Sequence, residues 1–259
     1  MKKLIRKILN LAGYDVIKLT KYEKSVKTND LTFHKTATGN YYLPTDAKSD
    51  IVAQTIIQDG IFEKEVVELA KKYIKKGTTV LDIGANFGQM SILFSEFVGG
   101  NGEVHSFDAD DFIYEVLKKN IEANSRKNII THFGAVHNKD NETLIFPEQD
   151  FVEFQSYGSY GIDYSASTGR KVPTITIDSL DIKEPISFIK IDIQGGDLQA
   201  MQGAVKTIQK NKMPIIFEYE YHFEDKFSMN FQQYVDFVAS INYKFEKVIN
   251  GHNFLIVPK

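Results

Sequence analysis

The chain has 259 residues, of which 42% are hydrophobic and 25% charged, as is typical of globular proteins with one large or two small domains. It contains no cysteine, which excludes disulfides, cysteine-ligated zinc, iron–sulfur clusters and cysteine nucleophiles. The net charge is −3, but residues 1–27 hold eight basic and two acidic side chains, so the remaining residues carry −9. The protein as a whole lacks the basic footprint of a nucleic-acid-binding protein.

Residues 1–11 favour a short basic helix in which apolar and basic side chains can occupy opposite faces. One interpretation is peripheral contact with an anionic membrane surface or an acidic partner. The other, which we favour, is a helix packed on the domain, because amphipathicity is expected of any packed helix. No secretory signal and no run of about 18 apolar residues is visible, so we expect a cytoplasmic protein. The helix at residues 1–11 could attach this protein to the inner face of the membrane.

Residues 30–60 look irregular, with short strands and several breakers, so we expect residues 1–60 to form an extension and residues 61–259 the main domain. A helix is predicted from Glu63 up to the stop signal at Gly77. Strands and helices then alternate, which predicts an α/β fold with a mainly parallel sheet. Strands are predicted at residues 79–83, 103–107, 128–133, 143–146, 186–191 and 214–220, and a terminal hairpin at 243–249 and 254–257 adds an antiparallel edge strand.

A glycine-rich corner follows the first strand of the alternating region. It carries Asp82, Gly84, Asn86, Phe87 and Gly88 in the pattern Asp-x-Gly-x-Asn-x-Gly. Glycines permit a tight turn and close approach of a ligand to the backbone, and the following helix offers free N–H groups. A dinucleotide would need Gly-x-Gly-x-x-Gly and present a pyrophosphate here. A carboxylate before the first glycine instead suits a ligand with an ammonium group, such as the amino-acid part of S-adenosylmethionine.

Further donor contacts are predicted where the next two strands end. Asp108 ends the second strand, where a carboxylate can accept hydrogen bonds from both ribose hydroxyls. Gly134 and Ala135 follow the third strand, and we expect their backbone to lie beside the adenine. Phe87 either packs near the donor or belongs to the core.

These blocks resemble the class I methyltransferases and, more narrowly, the FkbM family, over most of residues 55–257. The resemblance rests on the segments GIFE, VLDIGANFGQMS, VHSFDADDFIYEVLKKNIEAN, FGAVHNKDNETLIF, VPTITIDSL, FIKIDIQGGDLQAMQGA and PIIFEYE, in this order. It implies a Rossmann-like, seven-stranded sheet with a reversed last strand, and S-adenosylmethionine as donor, with S-adenosylhomocysteine as product. It also implies a donor-site role for Glu63 and O-methylation of sugars or of polysaccharide and lipid-linked precursors. Two residues depart from the family pattern: Gln194 and Asp108 stand where glutamate is usual.

Candidate groups for the acceptor side lie at the carboxyl ends of the later strands, where open α/β sheets bind ligands. Asp192 is the first choice as general base, although it could equally cap the next helix or orient the methionine of the donor. Glu218 is the second choice. Glu220 shares its strand face, and His222 could titrate near neutrality. Gln194 and Glu220 are predicted to contact the substrate.

The segment 148–171 is rich in tyrosine, serine and glycine. We predict that Tyr157, Ser159 and Tyr160 form a mobile wall over the acceptor, the alternative being a disordered insertion. The acids and His222 could gather around a divalent metal, but nothing fixes a ligand spacing, so no metal is predicted.

Several functional alternatives remain open. A small-molecule or glycan-precursor acceptor is expected, with a sugar hydroxyl as the first hypothesis. A phosphorus-containing, phosphoramidate-type capsule modification is a second acceptor for the same reaction. An NAD-dependent oxidoreductase and a non-catalytic module are rival classes, and the oligomeric state is open.

Overall fold

Strands and helices alternate through the chain, of which the computed structural model describes residues 30–147, 156–158, 161–163 and 166–259. The strands are β1 Leu31–Thr36, β2 Gly39–Pro44, β3 Thr79–Ile83, β4 Glu103–Asp108, β5 Ile129–Phe133, β6 Ala135–Val136, β7 Thr143–Phe146, β8 Arg170–Ile175, β9 Ile186–Ile191, β10 Ile215–Glu218, β11 Tyr243–Ile249 and β12 Asn253–Pro258. The α-helices are α1 Ile51–Ile57, α2 Lys64–Tyr73, α3 Gln89–Val98, α4 Asp111–Ala123, α5 Asp197–Gln202, α6 Val205–Asn211, α7 Glu224–Phe227 and α8 Phe231–Ser240. Two 3₁₀ turns occupy Ile177–Leu180 and Tyr221–Phe223.

A seven-stranded sheet has the order β11-β12-β10-β9-β3-β4-β5. Strands β10, β9, β3, β4 and β5 are parallel, and β12 runs antiparallel to both of its neighbours. Parallel strands need crossovers, which the helices between them supply. The predicted fold class, a Rossmann-like sheet with a reversed last strand, is confirmed.

One detail of the prediction is wrong: the antiparallel strand is not at the edge. Strand β12 lies between β10 and β11, which leaves β11 outermost. The reason is hydrophobic, because Leu255 and Ile256 of β12 are buried, whereas four of the seven residues of β11 are exposed. The strand with the more apolar residues takes the internal position.

The sheet is buried on both faces, as an internal parallel sheet requires. Every residue of β3 and of β9 is buried. On one face Phe188 packs against Phe94 of α3, and on the other Ile189 packs in a cluster with Met201 and Tyr234. Burying side chains of this size contributes on the order of 1.5–3 kcal/mol each, so the sheet is a rigid platform for the residues at its ends.

Residues 30–60, expected to be irregular with short strands, contain the β1–β2 hairpin and helix α1, and residues 31–60 belong to the compact unit Leu31–Lys259. Tyr41 and Leu43 of this hairpin are fully buried. The side chain of Asn120 in α4 accepts a hydrogen bond from the Tyr42 N–H at 2.6 Å and donates to the Phe87 carbonyl at 2.9 Å. The hairpin is therefore tied through α4 to the glycine-rich corner.

A smaller sheet of order β6-β8-β7 follows β5, and β7 pairs with β8 in the antiparallel sense. Within the described ranges, no helix has both the length and the apolar character needed to cross a bilayer. The predicted basic helix at residues 1–11 lies outside the described residues.

Candidate active site

A cavity of about 300 Å³ opens at the carboxyl ends of the central strands. Most of the predicted site residues line it, although they come from segments far apart in the sequence. The predicted residues in its wall are Glu63, Asp82, Gly84, Asn86, Phe87, Asp108, Gly134, Ala135, Tyr157, Asp192, Gln194, Glu218 and Glu220. The structure thus places the predicted donor and acceptor groups in one continuous space.

The backbone of the corner between β3 and α3 depends on glycine. Gly84 has a φ of 83°, and a Cβ added there would lie 1.8 Å from the Asp192 carbonyl oxygen. Gly88, at the N-cap of α3, has a φ of 85°, and a Cβ there would lie 2.6 Å from the Leu117 side chain. The corner is therefore packed against β9 on one side and α4 on the other, and it leaves backbone groups facing the cavity.

Asp82 lies beneath this corner and is fully buried. One of its oxygens, Oδ2, accepts a hydrogen bond from the Ser91 hydroxyl, and Oδ1 lies 3.7 Å from Nζ of Lys190. Burial raises the pKa of Asp82, and the lysine partly offsets this rise. Because Oδ1 has no hydrogen bond, it can accept one from a ligand group such as an ammonium.

Asp108 joins the corner to the next helix. Its two oxygens accept hydrogen bonds from the backbone N–H groups of Asn86 and Asp110, both at 3.0 Å. Burial, the largest effect, raises the pKa of Asp108 to about 7. The residue therefore shapes the donor corner directly, in addition to any contact with a ribose.

Gly134 and Ala135 lie beside Asp108 in the cavity wall. The Gly134 N–H donates to the Asp108 carbonyl at 3.0 Å, and Gly134 has a φ of 151°. A Cβ on Gly134 would lie 2.9 Å from the Pro173 carbonyl oxygen. The glycine is thus required by packing against β8, and the predicted contact of this backbone with the adenine stays a prediction. Phe87 is fully buried and part of the hydrophobic core, which supports the packing interpretation of its side chain.

A group of carboxyl side chains occupies the ends of β9 and β10. Nε2 of Gln194 donates to Asp192 at 3.2 Å and to Glu218 at 3.1 Å. Burial, followed by the negative charges of Asp192, Asp197 and Glu220, raises the pKa of Glu218 to about 10. Glu218 therefore keeps a proton at neutral pH, and Asp192 is the better candidate for a proton acceptor.

Helix capping is not the role of Asp192. The next helix, α5, begins at Asp197 after the N-cap Gly196, and Asp192 makes no capping bond to it. Its carboxylate lies 3.5 Å from Nζ of Lys190, and 21% of its side-chain surface is exposed. Of the interpretations left open by the sequence, this geometry favours a role inside the cavity.

Three residues of this end were missed by the sequence analysis. Lys190 is buried within β9, donates to the Gly84 carbonyl at 2.8 Å, and has its pKa raised by Asp192 and Asp82 despite burial. Asp197 is fully buried, accepts a hydrogen bond from the Glu218 N–H at 3.2 Å, and has a pKa raised to about 7 by burial. His252 lines the cavity. A lysine within the apolar run ISFIKI was a usable signal, because a buried lysine needs partners.

Glu63 reaches the cavity from the start of α2. Its backbone is left-handed, with φ 47°. Oε1 accepts a hydrogen bond from Asn253 and lies 3.5 Å from Nε2 of His252. Burial is the main cause of its raised pKa, followed by the charge of Asp192.

Two predicted residues differ from expectation. The structure does not bring His222 into the cavity: its side chain is 54% exposed on the 3₁₀ turn and lies 3.6 Å from Glu220. Tyr157 is a fixed part of the wall, because its ring is buried and packs 6.2 Å from that of Phe87. Its hydroxyl donates to Asp46 at 2.7 Å, and its N–H donates to Asp50 at 2.7 Å. Ser159 and Tyr160 lie outside the described residues.

In the part of the chain that the structure describes, no group of three or more histidine, aspartate or glutamate residues could hold a metal ion. The acids at the ends of β9 and β10 are held together by the Gln194 amide. Their carboxyl groups are therefore linked to each other by a neutral hydrogen-bond donor.

Comparison with known proteins identifies the family. The sequence profile of the methyltransferase FkbM domain matches residues 82–245, which is more than half of the chain. The chain belongs to the FkbM methyltransferase family. A profile of protein-L-isoaspartate(D-aspartate) O-methyltransferases also matches residues 6–139 of this FkbM-family chain. The matched domain is an S-adenosylmethionine-dependent methyltransferase domain, which confirms the predicted enzyme class and cofactor.

Individual relatives match over shorter segments. Ribosomal protein L11 methyltransferase of Acetivibrio thermocellus is 34% identical over 74 residues, which are 29% of this chain and 23% of that protein. The protein of the same name from Dictyoglomus turgidum is 40% identical over 58 residues, 22% of this chain and 19% of that protein. The chain thus spans less than a quarter of the length of these curated relatives.

Among solved structures, the FkbM methyltransferase of Methylobacillus flagellatus KT is similar to this chain. It is 18% identical, with a TM-score of 0.46, and the match covers 69% of this chain and 42% of that one.

The residues of the corner fit the family's donor. Oδ1 of Asp82 and Oδ1 of Asn86 are buried without a hydrogen bond and lie in the cavity wall. Such oxygens suit the ammonium of a methionine. The absence of a Cβ at Gly84 and Gly134 lets the Asp192 carbonyl and the Pro173 carbonyl pack closely behind the cavity wall that both glycines line.

Proposed function

We propose that the whole protein uses S-adenosylmethionine to methylate a hydroxyl oxygen of a sugar, or of another small polar precursor of a surface polysaccharide, in the cytoplasm. The observation that carries this proposal is the meeting of two features in one cavity. The donor corner at Asp82, Gly84 and Asp108 opens onto the hydrogen-bonded group Asp192–Gln194–Glu218. A hydroxyl acceptor must lose a proton when it is methylated, and this group can receive it.

On the donor side, the chain supplies position and charge. When bound, S-adenosylmethionine supplies a methyl group on a sulfonium, which is already an excellent leaving group. Asp82 and the corner backbone would hold its amino-acid part, and Asp108 its ribose. Fixing two reactants in line contributes on the order of 7–11 kcal/mol in the best intramolecular cases.

On the acceptor side, Asp192 would take the hydroxyl proton, while the bond between the methyl carbon and the donor sulfur breaks as the bond to the acceptor oxygen forms. Lys190 fixes one edge of this carboxylate and Gln194 the other, which leaves the group oriented toward the cavity. Glu218 is already protonated, so it acts as a hydrogen-bond donor near the acceptor and not as the base. A positioned base of this kind is worth roughly 10²–10⁴-fold in rate.

The charge of the cavity separates the hydroxyl acceptor from the other candidates. Seven carboxyl side chains line it among the described residues, and many of them are close together: Glu63, Asp82, Asp108, Asp110, Asp192, Glu218 and Glu220. Glu218 is protonated and does not contribute, but the rest of this acidic lining disfavours an anionic acceptor such as a phosphoramidate, which would also need no base. The pyrophosphate of NAD would lie against Asp82. Both alternatives are therefore disfavoured.

The test begins with isotopically labelled S-adenosylmethionine and a panel of neutral sugars and glycosides. Asp192→Asn should lower kcat about 10²–10⁴-fold, because the acceptor loses its base, while donor affinity stays within about threefold. Calorimetry measures the donor affinity and label transfer measures kcat. Asp181→Asn, an exposed aspartate in a left-handed turn away from the cavity, serves as the control and should behave as the wild type.

Two results would count against the proposal. Unaltered turnover by Asp192→Asn would remove Asp192 as the base. Label transfer to phosphate or phosphoramidate oxygens, with none to hydroxyls, would replace the acceptor class.

A further inference from the structure

Glu63 carries a carboxylate that the donor corner does not use. The side chain is 9% exposed and lines the cavity, and Oε2 is buried without a hydrogen bond. Its other oxygen, Oε1, is already bonded by Asn253. A buried carboxylate oxygen without a donor destabilises the protein unless a ligand supplies one. Glu63 is therefore prepared to accept a hydrogen bond from a bound molecule.

The partners of Glu63 show on which side of the cavity it lies. Asn253 belongs to β12 and is paired in register with Glu218 of β10. The donor corner follows β3, and Asp108 ends β4, on the other side of β9 in the sheet order. Glu63 thus contacts the β12 side of the cavity, while the N–H of the preceding Phe62 donates to Gln89 at the start of α3. We assign this β12 side to the acceptor.

The charges at this end determine what the acceptor can carry. Lys190 lies near Asp192 and Asp82 and donates to the Gly84 carbonyl, and its charge also lowers the pKa of Glu63, in part offsetting the effect of burial. Glu218 holds a proton. The basic side chains within 4 Å of Glu63 and Glu220, among the described residues, are imidazoles: His252 lies 3.5 Å from Glu63 and His222 lies 3.6 Å from Glu220. A neutral or positively charged ligand is favoured here, and an anion is repelled.

We propose that Glu63 is an acceptor-specificity residue and not a donor-binding one. Its free oxygen accepts a hydrogen bond from a hydroxyl or ammonium group near the methylated oxygen, and together with Glu220 it excludes acceptors that carry an anionic group there. The acceptor is therefore an uncharged or amino sugar. The inference rests on the proposed function, because it names the substrate class of the same site.

The experiment compares three probes with one ring and different charges: the methyl glycosides of glucosamine, glucose and glucuronic acid. Each is titrated at millimolar concentration into the full chain saturated with S-adenosylhomocysteine, and binding is followed by ligand-observed NMR. The glucosaminide and the glucoside should bind at least about tenfold more tightly than the glucuronide, which corresponds to roughly 1.4 kcal/mol.

The variant Glu63→Gln tests the assigned residue. Its affinity for the glucosaminide should fall about tenfold and its discrimination against the glucuronide should narrow, while the Kd for S-adenosylmethionine stays within about twofold of the wild-type value. The matched control is Glu68→Gln, the same change at a 62% exposed residue of α2, and it should alter neither affinity. Normal donor binding by Glu63→Gln also shows that the variant is folded.

Each contrary result has a distinct meaning. Equal or tighter binding of the glucuronide overturns the charge argument, even if methyl transfer is intact. A loss of donor affinity in Glu63→Gln, with sugar binding unchanged, returns Glu63 to the donor site. Binding of none of the three probes by a protein that binds S-adenosylmethionine overturns the sugar class. Failure to bind S-adenosylmethionine contradicts the proposed function itself.

Discussion

The two ends of the cavity are built in different ways. The donor end centres on one continuous stretch, residues 82–88, whose geometry is fixed by its glycines and by the hydrogen bond from the Asn86 N–H to Asp108 at the end of the next strand. The acceptor end is assembled from separate segments that carry Glu63, Asp192 and Glu218. The side-chain amide of Gln194 connects Asp192 to Glu218 there by two hydrogen bonds. The donor end is thus specified by backbone shape, and the acceptor end by charge and protonation. Substitutions at the donor end should therefore reduce stability or donor affinity, whereas substitutions at the acceptor end should change selectivity or pH dependence.

The largest effect is expected from Gly84→Ala at the donor end. The new Cβ would lie 1.8 Å from the Asp192 carbonyl oxygen, at a φ of 83° that alanine adopts only with strain. The contact cannot be relieved by a side-chain rotation, because both groups belong to the backbone. The free energy of unfolding should fall by about 3 kcal/mol or more, as measured by urea denaturation.

Gly100→Ala is the control for this change. No atom lies within 4 Å of the position that a Cβ at residue 100 would take, so its stability should stay within about 0.5 kcal/mol of wild type. If Gly84→Ala were as stable as the wild type, the corner would not be packed against β9. The donor end would then not be specified by backbone shape.

Asp108→Asn should have the next largest effect, on donor affinity. An amide retains one acceptor oxygen, but its NH₂ group would face a backbone N–H that now donates to the carboxylate. The Kd for S-adenosylmethionine should rise about tenfold, or roughly 1.4 kcal/mol, as measured by calorimetry.

The pH dependence sharpens this prediction. The pKa of Asp108 is raised to about 7, so the form that accepts hydrogen bonds from ribose hydroxyls is more populated at pH 8 than at pH 6. Wild-type affinity for the donor should therefore increase over this range, and the variant should lose that part of the increase. An unchanged affinity and pH profile in the variant would remove Asp108 from the donor site.

The same contrast explains how much of the site could be predicted from sequence. Asp82, Gly84 and Asp108 were identified because they stand at the ends of predicted strands, next to a turn and a helix. The structure has these strands and this helix where they were predicted. Glu63 and Asn253 are 190 positions apart, and they meet only because the start of α2 lies against the start of β12 in the folded chain. Periodicity predicts strands but not which distant side chains meet.

The fold shows the same limit. The terminal hairpin was predicted correctly as a pair, since its turn lies at Asn250 and Gly251. Its predicted position in the sheet was wrong. Either β11 or β12 could pair with β10, and β12, which has the more buried residues, takes that place. Lys190 was likewise predicted only as part of a buried strand. Its contacts with Gly84 and Asp192 depend on how β3 and β9 pair, which the sequence pattern does not show.

The smallest effect is expected at the acceptor end, from Glu218→Gln, and it should appear only as a change with pH. The pKa of Glu218 is 4.5 in its ordinary state and is raised to about 10 in the folded protein. Between these values the folded chain binds this proton and the unfolded chain does not. Stability contributed by the protonated group is therefore complete below pH 4.5 and is lost as pH rises toward 10.

Glutamine mimics the protonated acid without titrating, so the variant should unfold with a flatter dependence on pH. Between pH 7 and 9, the slope of the free energy of unfolding against pH should become less negative by at most about 1.4 kcal/mol per pH unit, the value for one bound proton. Urea denaturation at several pH values measures it, with the exposed Glu122→Gln as a control that should keep the wild-type slope. Identical slopes for Glu218→Gln and wild type would show that no proton resides there, and Glu218 would then compete with Asp192 as the base.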